Sequence, residues 1–188
     1  MSLSIAEIEQ LFLLHGARQY SGEPVTQLQH ALQTAWLAEK AGASDELVTA
    51  GLLHDLGHLL NDQGETPSLR GVDDVHQYFA LPFLRGLFPE RVLNPIKLHV
   101  DAKRYLCLVR SGYWAALSED SKRSLLLQGG IYSADACAVF MAQAGATEAV
   151  ELRQWDDRAK QPSLVTPPLA HFLQRAEQCS IPSTTAAQ

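Results

Sequence analysis

The chain has few cysteines, no long apolar run and no excess of positive charge, and each shortage excludes a class of protein. Cys107, Cys137 and Cys179 lie far apart and form no CxxC pair. That suits free thiols in a reducing cytoplasm better than a disulfide framework. No apolar stretch reaches the ~20 residues that span a bilayer. A net charge of −6 argues against a nucleic-acid partner, because such proteins carry a basic excess or stripe. It leaves room for a small anion held by a local basic cluster. Met1-Ser2-Leu3-Ser4-Ile5 lacks the basic-then-apolar order of a signal peptide. The expectation is a cytoplasmic protein with no membrane or nucleic-acid partner; its oligomeric state cannot be read from the sequence. Hairpin signals, internal repeats and low-complexity segments are missing too.

What is present is helical periodicity. At 188 residues and 46% hydrophobic, the chain can bury one full core, and a single domain is expected over 1–179 with a polar, small-residue tail over 180–188. Ser4-x-x-Glu7 is a capping box opening a helix to about residue 16. Residues 17–24 are a loop. Thr26 caps a helix to Lys40 that carries His30 on its apolar face. Ser44 caps another, with Asp45 and Glu46 in its first turn, which is expected to run unbroken through His54-Asp55 to Leu60. A polar loop covers 61–71. Helical character resumes over 72–88 with His76 and is kinked at Pro82. Asn94-Pro95 reads as a cap with proline at the first helical position, leading into a helix with His99 and Lys103 on one face. Ser118, Ser133 and Thr147 open three more helices, and Leu169 to Cys179 forms the last. The expected fold is all-α.

The chemistry centres on Gly51-Leu52-Leu53-His54-Asp55-Leu56-Gly57-His58-Leu59-Leu60, an apolar run holding three ionisable residues. Burying them among leucines is costly unless a cation compensates the charge. His30, His54-Asp55, His76, His99 and Asp156 together supply four histidines and two aspartates from five separate helices. Nitrogen and carboxylate donors suit iron, manganese or cobalt, and the lack of cysteine disfavours structural zinc. Six donors exceed what one ion with an open position needs. They fit two ions, with Asp55 as the bridge.

His30, His54-Asp55 and Asp156 resemble the H…HD…D signature of the HD-domain superfamily, and His76 and His99 resemble the additions found in its dinuclear members. The expected architecture is an HD-domain helical bundle around a dinuclear metal site. Within that superfamily the chain is similar to the mixed-valent di-iron oxygenases that act on 2-amino-1-hydroxyethylphosphonate. The similarity lies in Gln19-Tyr20-x-Gly22-Glu23-Pro24-Val25-Thr26-Gln27, Leu53-His54-Asp55-x-Gly57-His58, Leu98-His99-Val100-x-Ala102-Lys103-Arg104-Tyr105-Leu106, Ser124-Leu125-x-Leu127-Gln128-Gly129-Gly130 and Arg153-x-Trp155-Asp156-Asp157-x-Ala159-Lys160.

The resemblance implies two Fe ions in the Fe(II)/Fe(III) state. One would be held by His30, His54, Asp55 and Asp156, the other by Asp55, His76 and His99. It implies catalytic roles for His58, Tyr20 and Lys103. Substrate contacts are implied at Tyr20, Glu23, His58, Lys103, Ser121, Gln128 and Arg153, with Glu23 meeting the amine. The implied reaction uses O2 to cleave the C–P bond of a 1-hydroxy-2-aminoethylphosphonate, primary or N-trimethylated. The products would be phosphate and glycine or glycine betaine. The alternative is a metal-dependent HD phosphohydrolase acting on a small phosphate ester or nucleotide. A third reading is a regulatory module that keeps the fold without catalysis, against which the full ligand set speaks.

Overall fold

A computed structural model describes residues 2–20, 22–61, 64 and 66–182 of the chain. Asp62, Gln63 and Glu65 of the expected 61–71 loop, and residues 183–188 of the expected tail, lie outside these. The elements are α1 (Ile5–His15), α2 (Gln27–Lys40), α3 (Asp45–Leu53), α4 (Leu56–Leu60), a 3₁₀ turn (Pro67–Arg70), α5 (His76–Phe79), α6 (Leu81–Leu84), α7 (Glu90–Val109), α8 (Tyr113–Ala116), α9 (Glu119–Leu127), α10 (Ala134–Met141), α11 (Ala146–Asp156) and α12 (Leu169–Gln178). Among the described residues there is no strand, only an isolated bridge between Gln19 and Thr26. None of the described helices is long and apolar enough to cross a membrane.

Local chemistry starts the helices where the sequence indicates. Ser4 and Thr26 form reciprocal capping boxes with Glu7 and Gln29, each satisfying two otherwise orphaned N–H groups. Ser44, Ser118 and Ser133 accept from the N–H three residues on. Packing then sets α3 at the centre, against α2, α7, α11 and α12. Its residues from Leu47 to Leu53 are all buried, so it is apolar all round, as a central helix must be. Gly51 faces α2, where a Cβ would just touch the Ala35 Cα at 3.4 Å.

Four helices and the start of the tail differ from the sequence expectation. The helix expected to run to Leu60 breaks at His54-Asp55, where Asp55 adopts φ −104°, ψ 13°, the bridge region outside the helical well. The 72–88 helix is instead two short helices, α5 and α6, entered through Val75 at φ 45°. Asn94-Pro95 does not start a helix. It lies inside α7, where the missing proline N–H leaves the Arg91 carbonyl without its usual partner, and Gly145 packs against the Asn94 Cβ and Pro95 ring. Gly145, not Thr147, sits at the start of α11. The expected tail does not begin free at 180, because the Ile181 N–H donates to the Leu87 carbonyl at 2.8 Å.

Candidate metal centre

The break at Asp55 aims one carboxylate in two directions. Its Oδ2 faces His30 Nε2 and His54 Nε2, both at 3.4 Å. Its Oδ1 faces His76 Nε2 at 3.3 Å and His99 Nε2 at 3.6 Å. Asp156, at the end of α11, joins the first pair with Oδ1 3.4 Å from His30 Nε2. Six side chains from α2, α5, α7, α11 and the His54-Asp55 break after α3 thus form two donor groups, His30/His54/Asp156 and Asp55/His76/His99.

The hydrogen bonds behind the histidines fix what they present in front. Nδ1–H of His30 donates to the Ala159 carbonyl at 2.9 Å, that of His54 to Gly51 at 2.9 Å, and that of His99 to Ile96 at 2.7 Å. His76 Nδ1 does the same to Asp74 Oδ1 at 2.7 Å. A carbonyl only accepts, so in the neutral rings the inward Nε2 carries a lone pair. His30 and His54 then bring two such atoms to 3.2 Å, and His76 and His99 bring two to 3.1 Å. Lone pair against lone pair is repulsive unless positive charge lies between them. Asp55 Oδ2 and Asp156 Oδ1 are buried and find no hydrogen-bond donor among the described residues, an expensive condition for a carboxylate. Metal ions would resolve both defects, and Nδ1 bonds of this kind are what orients histidines that hold a metal.

The aspartates draw positive charge into the site, and where no ion is bound a proton on His30 or His76 answers them. Burial opposes charge at His30 and His76, yet the neighbouring aspartates outweigh it and push these rings up to about 9 and about 10. Burial likewise opposes ionisation of Asp156, but Arg153 and His30 hold it well below the usual carboxylate range. His99 goes the other way, held neutral by burial and by His54 and His76 beside it.

A cavity of about 50 Å³ opens onto the two groups, lined by Tyr20, His58, Lys103, Ser121, Gln128 and Arg153 among others. With ~10–15 Å³ needed per water, it suits a small anion. Lys103 is 2% exposed; burial and the nearby Arg153 bring its ammonium down to about 7, and it donates to Ser124 Oγ at 2.8 Å. Arg153 is buried and salt-bridged to Asp156 at 2.9 Å and to Asp157. Gln128 Oε1 is buried and also finds no partner among the described residues. Tyr20 stacks on His30, ring centroids 3.9 Å apart. Its phenol is held protonated by burial and by the charges of Asp55 and Asp156.

All six expected ligands therefore converge, and six of the seven expected substrate contacts line one cavity. Glu23 does not line it; its carboxylate pairs with Lys160 at 2.7 Å. Sequence reasoning missed Asp74, whose two oxygens take His76 Nδ1 at 2.7 Å and His58 Nδ1 at 2.9 Å. The only signal was an aspartate two positions before a ligand histidine. It also missed Ser124 as the partner of Lys103, although Ser124 shares a helix face with Ser121 and Gln128.

The family model described as HD domain matches residues 28–139. The chain is 41% identical over 176 residues to the hydroxymethylphosphonate dioxygenase of Gimesia maris, covering 93% of this chain and 87% of that one. It is 35% identical over 162 residues to the [1-hydroxy-2-(trimethylamino)ethyl]phosphonate dioxygenase (glycine-betaine-forming) of Leisingera caerulea, covering 86% and 83%. It is 32% identical over 172 residues to the uncharacterized protein L432 of Acanthamoeba polyphaga mimivirus, covering 90% and 78%. With the donor groups and the helical bundle described above, these likenesses identify the chain as a metal-binding member of the HD-domain phosphonate dioxygenase family, an enzyme of the oxygenase class.

Proposed function

We propose that the protein cleaves the C–P bond of a small 1-hydroxyphosphonate with O2. The two-carbon substrate, 2-amino-1-hydroxyethylphosphonate or its N-trimethylated form, would give phosphate and glycine or glycine betaine. The atoms balance: one O2 converts the hydroxylated carbon to a carboxylate and phosphorus leaves as phosphate. The observation that carries this reading is Asp55, which offers one oxygen to each histidine group beside a small cavity walled by Lys103 and Arg153.

Two iron ions of unequal valence would be held by this donor set, one by His30, His54, Asp55 and Asp156 and the other by Asp55, His76 and His99. Bound there, they would supply the redox chemistry with dioxygen and a chelating partner for the substrate. The chain's own groups do the rest. Lys103 and Arg153 place positive charge where a phosphonate dianion needs it. The Gln128 amide and Ser121 hydroxyl supply further polar contacts. His58, oriented by Asp74 through Nδ1, keeps its Nε2 3.9 Å from Asp55, beside the substrate position and able to hold a proton there. Tyr20 walls the cavity over His30 and shields the first group from water.

The test is phosphate release from 2-amino-1-hydroxyethylphosphonate and its trimethylated analogue, with and without air, on iron-loaded protein. Release is expected only with oxygen, with one equivalent of glycine or glycine betaine. Equal release without oxygen would replace this reading with hydrolysis.

A further inference from the structure

Arg153 lines the metal cavity, and every nitrogen of its guanidinium is held by the protein. Nη1 donates to Asp156 Oδ2 at 2.9 Å, Nη2 to Asp157 Oδ1, and Nε to the Tyr113 hydroxyl at 3.3 Å. The Tyr113 O–H in turn donates to Asp157 Oδ2. Tyrosine and aspartate thus close a ring of hydrogen bonds with the guanidinium. Burial and Asp157 push the Tyr113 phenol above its ordinary value, so it keeps the proton the ring needs. A guanidinium has more N–H donors than nitrogens. One bond from each nitrogen therefore leaves donors over, on a side chain that walls the cavity.

Tyr113 reaches this ring from a distant part of the chain. It opens α8, which is entered through Gly112 at φ 77°, and its ring packs with Leu106, Leu117 and Leu125. That packing places the hydroxyl without help from Arg153. Asp157 has less support. Its side chain is 20% exposed, and with Tyr113 it lines a second cavity of about 480 Å³. The carboxylate has room to swing outward once the tyrosine stops holding it.

We propose that Tyr113 and Asp157 are positioning residues for the reaction: their ring sets the plane of the Arg153 guanidinium, so that its remaining N–H groups meet the phosphonate oxygens. This rests on the reading of the cavity as a phosphonate site. Charge and geometry act in opposite senses here. Asp157 is an anion near an anion site, so by Coulomb attraction alone its loss would tighten binding. As a positioning group its loss weakens binding, because a planar fork serves an oxyanion only when it is aimed.

The experiment is anaerobic calorimetry on iron-loaded protein with hydroxymethylphosphonate, beside iron analysis of each variant. Tyr113→Phe keeps the packing and the charge and is expected to weaken binding about fivefold, the order of one hydrogen bond. Asp157→Asn leaves a single acceptor oxygen where the ring uses two, and is expected to weaken it about tenfold. The two together should cost little more than Asp157→Asn alone, because both act on one guanidinium. Arg153→Lys keeps the charge without the fork, and in that background Tyr113→Phe should change binding by less than about twofold. Iron content should match that of the unaltered chain throughout. Should Asp157→Asn fail to fold, Tyr113→Phe with and without Arg153→Lys decides alone. Tighter binding in Asp157→Asn, unchanged binding in Tyr113→Phe, an equal loss in the Arg153→Lys background, or loss of iron together with binding overturns the proposal and leaves the phosphonate reading standing. No binding to the unaltered chain overturns that reading and the proposal with it.

Discussion

Gly57→Ala tests whether the metal centre depends on how closely two short helices approach. A Cβ at residue 57 would lie 2.2 Å from the His76 carbonyl oxygen and 2.9 Å from the His76 Cα. Both atoms are backbone, so no side-chain rotation relieves the contact. Ordinary van der Waals contact begins near 3.4 Å, so α5 must retreat by about 1 Å. Metal–nitrogen bonds tolerate only ~0.2 Å. His76 is therefore expected to leave the second donor group, while His30, His54 and Asp156, on α2, α3 and α11, stay in place. Overpacking of this kind costs about 1–3 kcal/mol, and for a chain of this size each kcal/mol lowers the melting temperature by roughly 2–4 °C. Metal analysis after reconstitution should show near-normal loading of the first group, loss from the second and background turnover. Full occupancy with unchanged affinity at both groups would refute the reasoning.

Asp156→Ala removes a ligand and the carboxylate facing Arg153; metal loading and turnover are expected to fall to background, and retained full activity would contradict the ligand assignment. Asp74→Asn leaves an amide that cannot accept from both His58 and His76, so metal affinity or activity should drop ~10–100-fold, read by metal titration. Lys103 is charged below about pH 7 and neutral above it, because its folded-state value is depressed. Binding of a dianion must then take up a proton, and the apparent KM should climb up to about tenfold per pH unit above pH 7. Lys103→Met should bind weakly at every pH and lose that slope; a KM profile identical to that of the unaltered chain would remove Lys103 from the anion site.

The helix starts were legible because caps are local. Ser4, Thr26, Ser44, Ser118 and Ser133 each bond to a backbone N–H three residues away, so a short window of sequence contains the whole interaction. The convergence of the six candidate donors was legible because histidine and aspartate set among leucines need a compensating charge once buried, and a cation can supply it. The break at His54-Asp55 was not, since the apolar pattern runs straight through it and the bend is imposed by partners distant in sequence. Pro95 misled for a related reason: proline marks boundaries on average, but here it sits inside α7, beside an Asn94 whose Cβ a side chain at Gly145 of another element would strike at 2.6 Å. The pairing of Glu23 with Lys160 spans 137 residues, and no local rule reports such a contact.

The bend at Asp55 also divides the centre by depth. His30, His54 and Asp156 are 0–2% exposed and ride on α2, α3 and α11. The shallower partner group leans on α5, a four-residue helix entered through a left-handed valine. Segments of that kind open locally at a small fraction of the global unfolding cost. With both groups loaded as proposed, a chelator working from solvent would strip the protein in sequence, outer ion first, and pass through a half-emptied, still-folded species.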